Sequence, residues 1–403
     1  MVPLPAQGHL NQLLHLSRLI SAAHNIAVYY AGAATYIRQA KLRLHGWDPP
    51  SISNINFHEF PKTPFENPNP NPHAKTKFPS QIMPSLTASL NLRGPVFDFV
   101  DGLSRIFRRV IVIFDSLMAY VVQDIDSIEN AECYSFRSIS AFSVCSWEVE
   151  VSPDLPNILK ELPSLDGYYP PEFSDFLNLQ SGTRKIFSGE IYNSCVEIEG
   201  FCLDLLAKRF RNGTEKEPDS VIFVSFGTTS SFSDEQIKEI AFGLERSEQK
   251  FIWVLRDADK GDIFAGEARK AELPDGFEKR VKERGIIVRD WAPQLDILGH
   301  PSTESISMGV PIATWPLHSD QPANAVLITK VLKIGVEMKQ WTREDELLSS
   351  SKVENGVRKL MESEEGDEIR KRASELGKTV RNSGMESGAR RKEMDSFITH
   401  ITR

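Results

Sequence analysis

Apolar positions recur along this chain in two periods, and their alternation sets the expected architecture. Leu10, Leu13, Leu14, Ser17 and Ile20 follow the helical period, which predicts an amphipathic helix directly after Gly8. Ile26-Ala27-Val28-Tyr29-Tyr30 then reads as a strand. Val110-Ile111-Val112-Ile113-Phe114 is apolar without a break and stops at Asp115, which suits a parallel strand covered on both faces. The same grammar restarts downstream. Residues 221–226 read as another buried strand and Gly227-Thr228-Thr229-Ser230 as a turn. Ser233-Asp234-Glu235-Gln236 reads as a capping box, opening a helix whose core face is Ile237, Ile240, Ala241 and Leu244. Further strands are expected at 251–255, 286–288 and 311–315.

Strands alternating with helices in two successive runs predict two doubly wound α/β domains. The polar stretch 209–219 is the expected linker between an N-terminal domain, 1–208, and a C-terminal domain, 220–385. A last helix should occupy residues 386–403 and return to the N-terminal domain. Seven prolines between residues 48 and 79 predict a long surface loop there. No internal repeat or low-complexity segment interrupts the pattern.

Composition narrows the class. The chain has 403 residues, 40% hydrophobic and 25% charged, enough for two ordinary globular cores. Lys and Arg number 47 against 55 Asp and Glu, a formal charge of −8, and no basic tract stands out. Nucleic acid and anionic membranes are therefore poor partners. The N-terminal residues lack the form of a signal peptide, and no window has the length and polarity of a membrane span. Cys133, Cys145, Cys195 and Cys202 show neither CxxC pairing nor metal-ligand spacing, so reduced thiols and a cytoplasmic location are expected. Asn212-Gly213-Thr214 matches the glycosylation pattern but reads as a surface turn.

Doubly wound sheets bind ligands at the carboxyl ends of their strands. Two candidates lie there. His9 follows the Pro5-Ala6-Gln7-Gly8 turn at a helix start, and Asp115 ends a predicted strand. A helix N-terminus disfavours imidazolium, which keeps the ring neutral and free to act as a base. A carboxylate on one ring nitrogen fixes the tautomer and stabilises the cation formed at the other. From spacing alone the plainer roles stand beside this one: a helix cap for His9, a turn residue for Asp115. Asp257-Ala258-Asp259 could mimic a metal-diphosphate site, but it follows a strand within a charged run and reads as a solvated loop. No GxGxxG opens either sheet, which argues against a dinucleotide oxidoreductase.

The segment from Trp291 to Gln321 carries more information. It reads Trp291-Ala292-Pro293-Gln294, His300-Pro301, Glu304-Ser305, Met308-Gly309-Val310-Pro311 and Trp315-Pro316-Leu317-His318-Ser319-Asp320-Gln321. This order resembles the signature of plant secondary-product UDP-glycosyltransferases. The likeness extends over residues 5–12, 114–116, 225–228 and 251–257, and lies nearest the zeatin O-glucosyltransferase and O-xylosyltransferase branch. The resemblance implies a GT-B arrangement, two Rossmann-like domains facing a cleft. It also implies inverting transfer of a hexose or pentose from a UDP-sugar to a hydroxyl of a small aglycone, such as the cytokinin zeatin. His9 would be the base and Asp115 its orienter. Trp291 would stack on uracil, with the Ala292 backbone and Gln294 holding the uridine. Glu304 would bind the ribose hydroxyls, Asp320 and Gln321 the sugar, and Thr228 would lie near the diphosphate. No metal or cofactor is implied beyond UDP-glucose or UDP-xylose as co-substrate, and the expected state is a monomer.

The chain departs from that signature. The family continues after His300-Pro301-Ser302-Thr303 with a Gly-Gly strand and a His-Cys-Gly-Trp-Asn-Ser run before the glutamate. Here Thr303 joins Glu304 directly, a loss of roughly a dozen residues judged by motif spacing. The lost run supplies diphosphate contacts at a helix N-terminus. The C-terminal sheet is therefore expected to be one strand short. The expected repair joins 294–308 into one helical connection and moves strand 311–315 beside 221–226. The first strand of the first sheet is nearly absent, and the linker is short. A catalytically inactive relative that only binds a small hydroxylated ligand is the competing reading.

Overall fold

The computed structural model describes residues 1–24, 26–44, 47, 49–74, 78–148, 162, 165, 167–181, 187–206, 222–264, 269–289, 292, 299–300, 303–304, 306–307, 309–341, 346–385 and 388–402. The linker 209–219, with Asn212, lies outside them.

The N-terminal lobe is a parallel sheet between helices. Strand β1 (Val28–Ala33) pairs with β2 (Ile55–Phe60), and β3 (Val110–Asp115) pairs with β4 (Ala131–Arg137), which pairs with β5 (Gly189–Tyr192). Met1 and Val2 join the two halves. Ala31 N–H donates to Met1 O at 3.0 Å, while Val2 N–H donates to Ile113 O and Asp115 N–H to Val2 O, both at 2.9 Å. The short first strand thus survives as a two-residue stub. The uninterrupted apolar run of β3 is used on both faces. Val110, Val112 and Phe114 join a core with Leu10, Leu86 and Val96, while Ile113 joins another with Leu13, Leu14, Ile398 and Ile401. This is the period of two expected of a doubly covered strand. The last helix, Ala389–Ile401, lies on that second core, where Arg109 donates to His400 O at 2.8 Å.

Residues 48–79 are not only loop. The segment Ile55–Phe60 forms β2, hidden in the sequence by the prolines around it. Residues 49–52 form a short 3-10 helix, and residues 61–74 carry no helix or strand.

In the C-terminal lobe, β6 (Ile222–Ser225), β7 (Phe251–Val254) and β8 (Gly285–Val288) form a parallel sheet. Helix Asp234–Ser247 starts at Ser233, whose Oγ accepts from Gln236 N–H at 3.4 Å, and buries Ile237, Ile240, Ala241 and Leu244. The capping box is only half made. The Gln236 side chain instead exchanges hydrogen bonds with the Leu348 backbone, at 2.9 and 2.8 Å.

The expected repair of this sheet does not occur. β11 (Ile312–Thr314) pairs with β12 (Gly335–Glu337), not with β6. Between β6 and β11 stand aromatic rings: Trp315 lies 5.3 Å from Phe226 and 5.7 Å from Phe232, centroid to centroid. The rings meet edge to face just beyond the ends of the two strands, so β6 and β11 touch through side chains and not through a backbone ladder. Consequently β6 has no second ladder partner among the described residues, and it is partly buried rather than fully covered. The segment 294–308 is not one helix either, because β9 (Gly299–His300) and β10 (Thr303–Glu304) form a short antiparallel pair.

Candidate active site

Helix Gln7–His24 begins just after the Met1–Val2 stub, so its first turn sits at the carboxyl end of the sheet. Gln39 donates to Gln7 Oε1 at 2.6 Å, and Tyr30 Oη donates to Leu10 O at 2.7 Å, fixing that turn to its neighbours. His9 stands in it. Asp115 ends β3 with a fully buried side chain. One carboxylate oxygen, Oδ1, accepts from Leu117 N–H at 3.0 Å. The other, Oδ2, lies 2.7 Å from His9 Nδ1. The turn after β3 thus aims the carboxylate, and the carboxylate aims the ring.

Ser138 completes the arrangement: its Oγ lies 2.8 Å from the same Nδ1. Sequence reasoning missed it. It follows β4 directly, so the strand-end rule that singled out Asp115 would have found it too. With Nδ1 engaged twice, Nε2 is the nitrogen left to exchange a proton. Burial lowers the affinity of His9 for a proton, but the charge and hydrogen bond of Asp115, with the charge of Asp320, outweigh it and raise the pKa above 6.5.

Asp320 comes from the other lobe. Its Oδ2 accepts from Asn324 Nδ2 at 2.8 Å, and Ser140 Oγ donates across the lobes to Asn324 Oδ1 at 2.5 Å. Burial pushes the Asp320 carboxyl up, opposed by the Asn324 amide and the His9 charge. The preceding Ser319 sits at φ +59°, a left-handed conformation that is costly for a non-glycine residue and common at functional sites. Gln321 turns back on its own loop, accepting from Leu317 N–H at 2.8 Å. Thr228 accepts from Asp259 N–H at 2.7 Å, and its neighbour Thr229 bonds His318 Nε2 at 3.0 Å. Burial pushes the His318 pKa down to about 4, so the ring is neutral.

The structure therefore gathers His9, Asp115 and Asp320 closely, with Gln321 in the Asp320 loop and the Thr228 turn tied to it through His318. Ala292 is buried, and Glu304 is placed only as a strand residue paired with Gly299. Trp291, Gln294 and the side chain of Glu304 lie outside the described residues.

The Asp257-Ala258-Asp259 segment is not the solvated loop expected. Both carboxylates are largely buried, Asp259 paired with Arg256 and Asp257 lying 3.6 Å from Arg269. Arginines occupy the place a cation would need. Among the described residues no group of three or more His, Cys, Asp or Glu side chains is placed to hold a metal ion, and no helix is long and apolar enough to cross a membrane.

Residues 1–217 match "Glycosyltransferase, N-terminal domain", and residues 203–378 match "UDP-glucoronosyl and UDP-glucosyl transferase". The chain is 49% identical to zeatin O-glucosyltransferase of Phaseolus lunatus, over all of this chain and 96% of that protein. It is 48% identical to zeatin O-xylosyltransferase of Phaseolus vulgaris, over all of this chain and 97% of that one. The first alignment runs over 450 positions, 47 more than the chain's 403 residues. Among solved structures, a transferase from Siraitia grosvenorii in complex with UDP superposes with a TM-score of 0.75 at 24% identity, covering 100% of this chain and 99% of that one. A Glycyrrhiza uralensis enzyme complexed with glycyrrhetinic acid 3-O-monoglucuronide gives 0.76 at 23%, covering 100% and 95%. The fold is GT-B, and the chain belongs to the plant UDP-glycosyltransferase family.

Proposed function

We propose that the chain transfers glucose or xylose from its UDP-sugar to a hydroxyl of a small acceptor of the zeatin class, with inversion at the anomeric carbon. The observation that carries this reading is the His9–Asp115 contact of 2.7 Å within electrostatic reach of Asp320. The acceptor hydroxyl gives its proton to His9 Nε2 as its oxygen bonds the anomeric carbon. The bond from that carbon to UDP breaks, and UDP leaves with the electron pair. Asp115 stabilises the imidazolium, and a general base so held contributes on the order of 10²–10⁴-fold in rate. Asp320 and Gln321 hold the sugar hydroxyls. Trp291, Ala292, Gln294 and Glu304 hold the uridine, and Thr228 lies near the diphosphate. No metal takes part in this reading.

The test is product analysis. Incubated with UDP-glucose or UDP-xylose and trans-zeatin, the protein should yield an O-glycoside whose anomeric configuration by NMR is opposite to that of the donor. Retained configuration rejects the mechanism.

The direct junction of Thr303 and Glu304 favours a second reading. The diphosphate-binding run falls at that junction in the family signature, and without it the chain would bind a hydroxylated ligand but turn nothing over. Calorimetry with UDP separates the two: binding in the micromolar to millimolar range fits the enzyme, while zeatin binding with no heat from UDP fits the inactive relative.

A further inference from the structure

A narrow recess, with free space of about 20 Å³, opens in the N-terminal lobe beside the segment that leads into helix Gln7–His24. Pro3, Pro5, Tyr36, Phe65 and Leu92 help form its wall, and Lys62 is the charged residue in it. Pro5, four residues before His9, stands in that wall, which makes the recess part of the acceptor site on the reading above. The C-terminal lobe reaches over its rim. Tyr36 Oη donates to Gly261 O at 3.0 Å. A Cβ at Gly261 would lie 3.1 Å from both Phe65 Cε2 and Ser85 Cβ, so the segment packs flat on the wall.

Asp262 holds it there. One oxygen, Oδ1, accepts from Phe264 N–H at 3.0 Å and fixes the local turn, while Oδ2 pairs with Lys62. Asn67 clasps the same residue twice: Asp262 N–H donates to Asn67 Oδ1 at 2.9 Å, and Asn67 Nδ2 donates to Asp262 O at 3.1 Å. A further clasp is the Arg38 guanidinium over the Phe264 ring, 3.8 Å from its centroid. The Asp262 side chain is 8% exposed and that of Lys62 42%, so one charge is buried and relies on a partner reaching in from solvent.

We propose that residues 261–264 form a strap over the acceptor recess, with the Lys62–Asp262 ion pair as its latch, so that the pair must part before an acceptor enters or leaves. The proposal rests on the acceptor reading of the recess. It makes Lys62, Asn67 and Asp262 access residues for the family reaction. Asp262→Asn keeps an oxygen for the Phe264 turn and both backbone bonds to Asn67, but loses the charge. Lys62→Met loses the same pair from the other side.

Trans-zeatin binding to the full chain is followed by stopped flow, with hydrogen exchange of the amide at position 262 measured on the same variants. Each single variant should raise the zeatin association rate roughly 2- to 10-fold, the scale of one partly buried ion pair. The double variant should add nothing further, and UDP affinity should not move. Exchange at position 262 should quicken in parallel. Faster exchange without zeatin binding in any variant keeps the latch and overturns the acceptor reading beneath it. Unchanged exchange, or zeatin rates unaltered while zeatin still binds, overturns the latch.

Discussion

The role proposed for His9 depends on groups that touch only one of its nitrogens. Asp115 Oδ2 at 2.7 Å and Ser138 Oγ at 2.8 Å both meet Nδ1, which fixes the ring and leaves Nε2 to act. Asp115→Asn keeps the shape and an oxygen for Leu117 N–H but loses the charge and favours the wrong tautomer. The kcat should fall about 10²–10⁴-fold with the unfolding midpoint little changed, checked by steady-state kinetics beside thermal denaturation. The raised His9 pKa has a direction in pH. As the proposed base, His9 is neutral only above it, so kcat/KM should climb with pH through an inflection above 6.5. Stability runs the other way: the charged pair contributes fully below 6.5 and is lost as pH rises through the folded value. Ser138→Ala removes an acceptor from the imidazolium. The inflection should move to lower pH and kcat fall roughly 2- to 10-fold; an unmoved inflection discards the role given to Ser138. Position brought His9 and Asp115 to notice, one at a helix start and the other at a strand end, yet it could not join them. Their contact depends on a sheet that sets residues 106 positions apart side by side.

Elements were legible where one period dominated. The helix with Leu10, Leu13 and Leu14 and the strand with Val112 and Phe114 bury the faces their patterns predict. β2 was not legible, because Ile55-Asn56-Phe57-His58-Glu59-Phe60 alternates only through its first four residues and lies in a stretch punctuated by proline. The partner of β11 was not legible either. Ladder choice depends on which strands the rest of the chain brings together, here β11 with β12, and a one-dimensional pattern carries no such term. Close helix packing gives an element-scale test. A Cβ at Gly243 would lie 2.4 Å from Val353 Cβ and 2.8 Å from Ser350 O, so helices Asp234–Ser247 and Ser350–Glu362 touch at backbone distance. Gly243→Ala should lower stability by about 1–3 kcal/mol in urea unfolding, despite the better helix propensity of alanine. A stabilised variant would show that the two helices do not meet as described.

At the scale of the molecule, the two lobes are joined by polar contacts that converge on one cleft. Gln81 donates to Thr229 O at 3.1 Å and to Asp259 O at 3.4 Å, Ser140 donates to Asn324 Oδ1, and Asp262 is held by Lys62 and Asn67. The two-lobed plan was legible from the repeated strand-helix grammar. How the lobes close was not, since the contacts come from loops whose sequences carry no period. The central claim is that His9 on one lobe serves a sugar held against Asp320 on the other. UDP release from UDP-glucose in the presence of trans-zeatin tests it most directly, compared between the unaltered chain and His9→Ala. The account predicts acceptor-dependent release that falls at least about 100-fold in the variant. Equal, zeatin-dependent release from both proteins would contradict it.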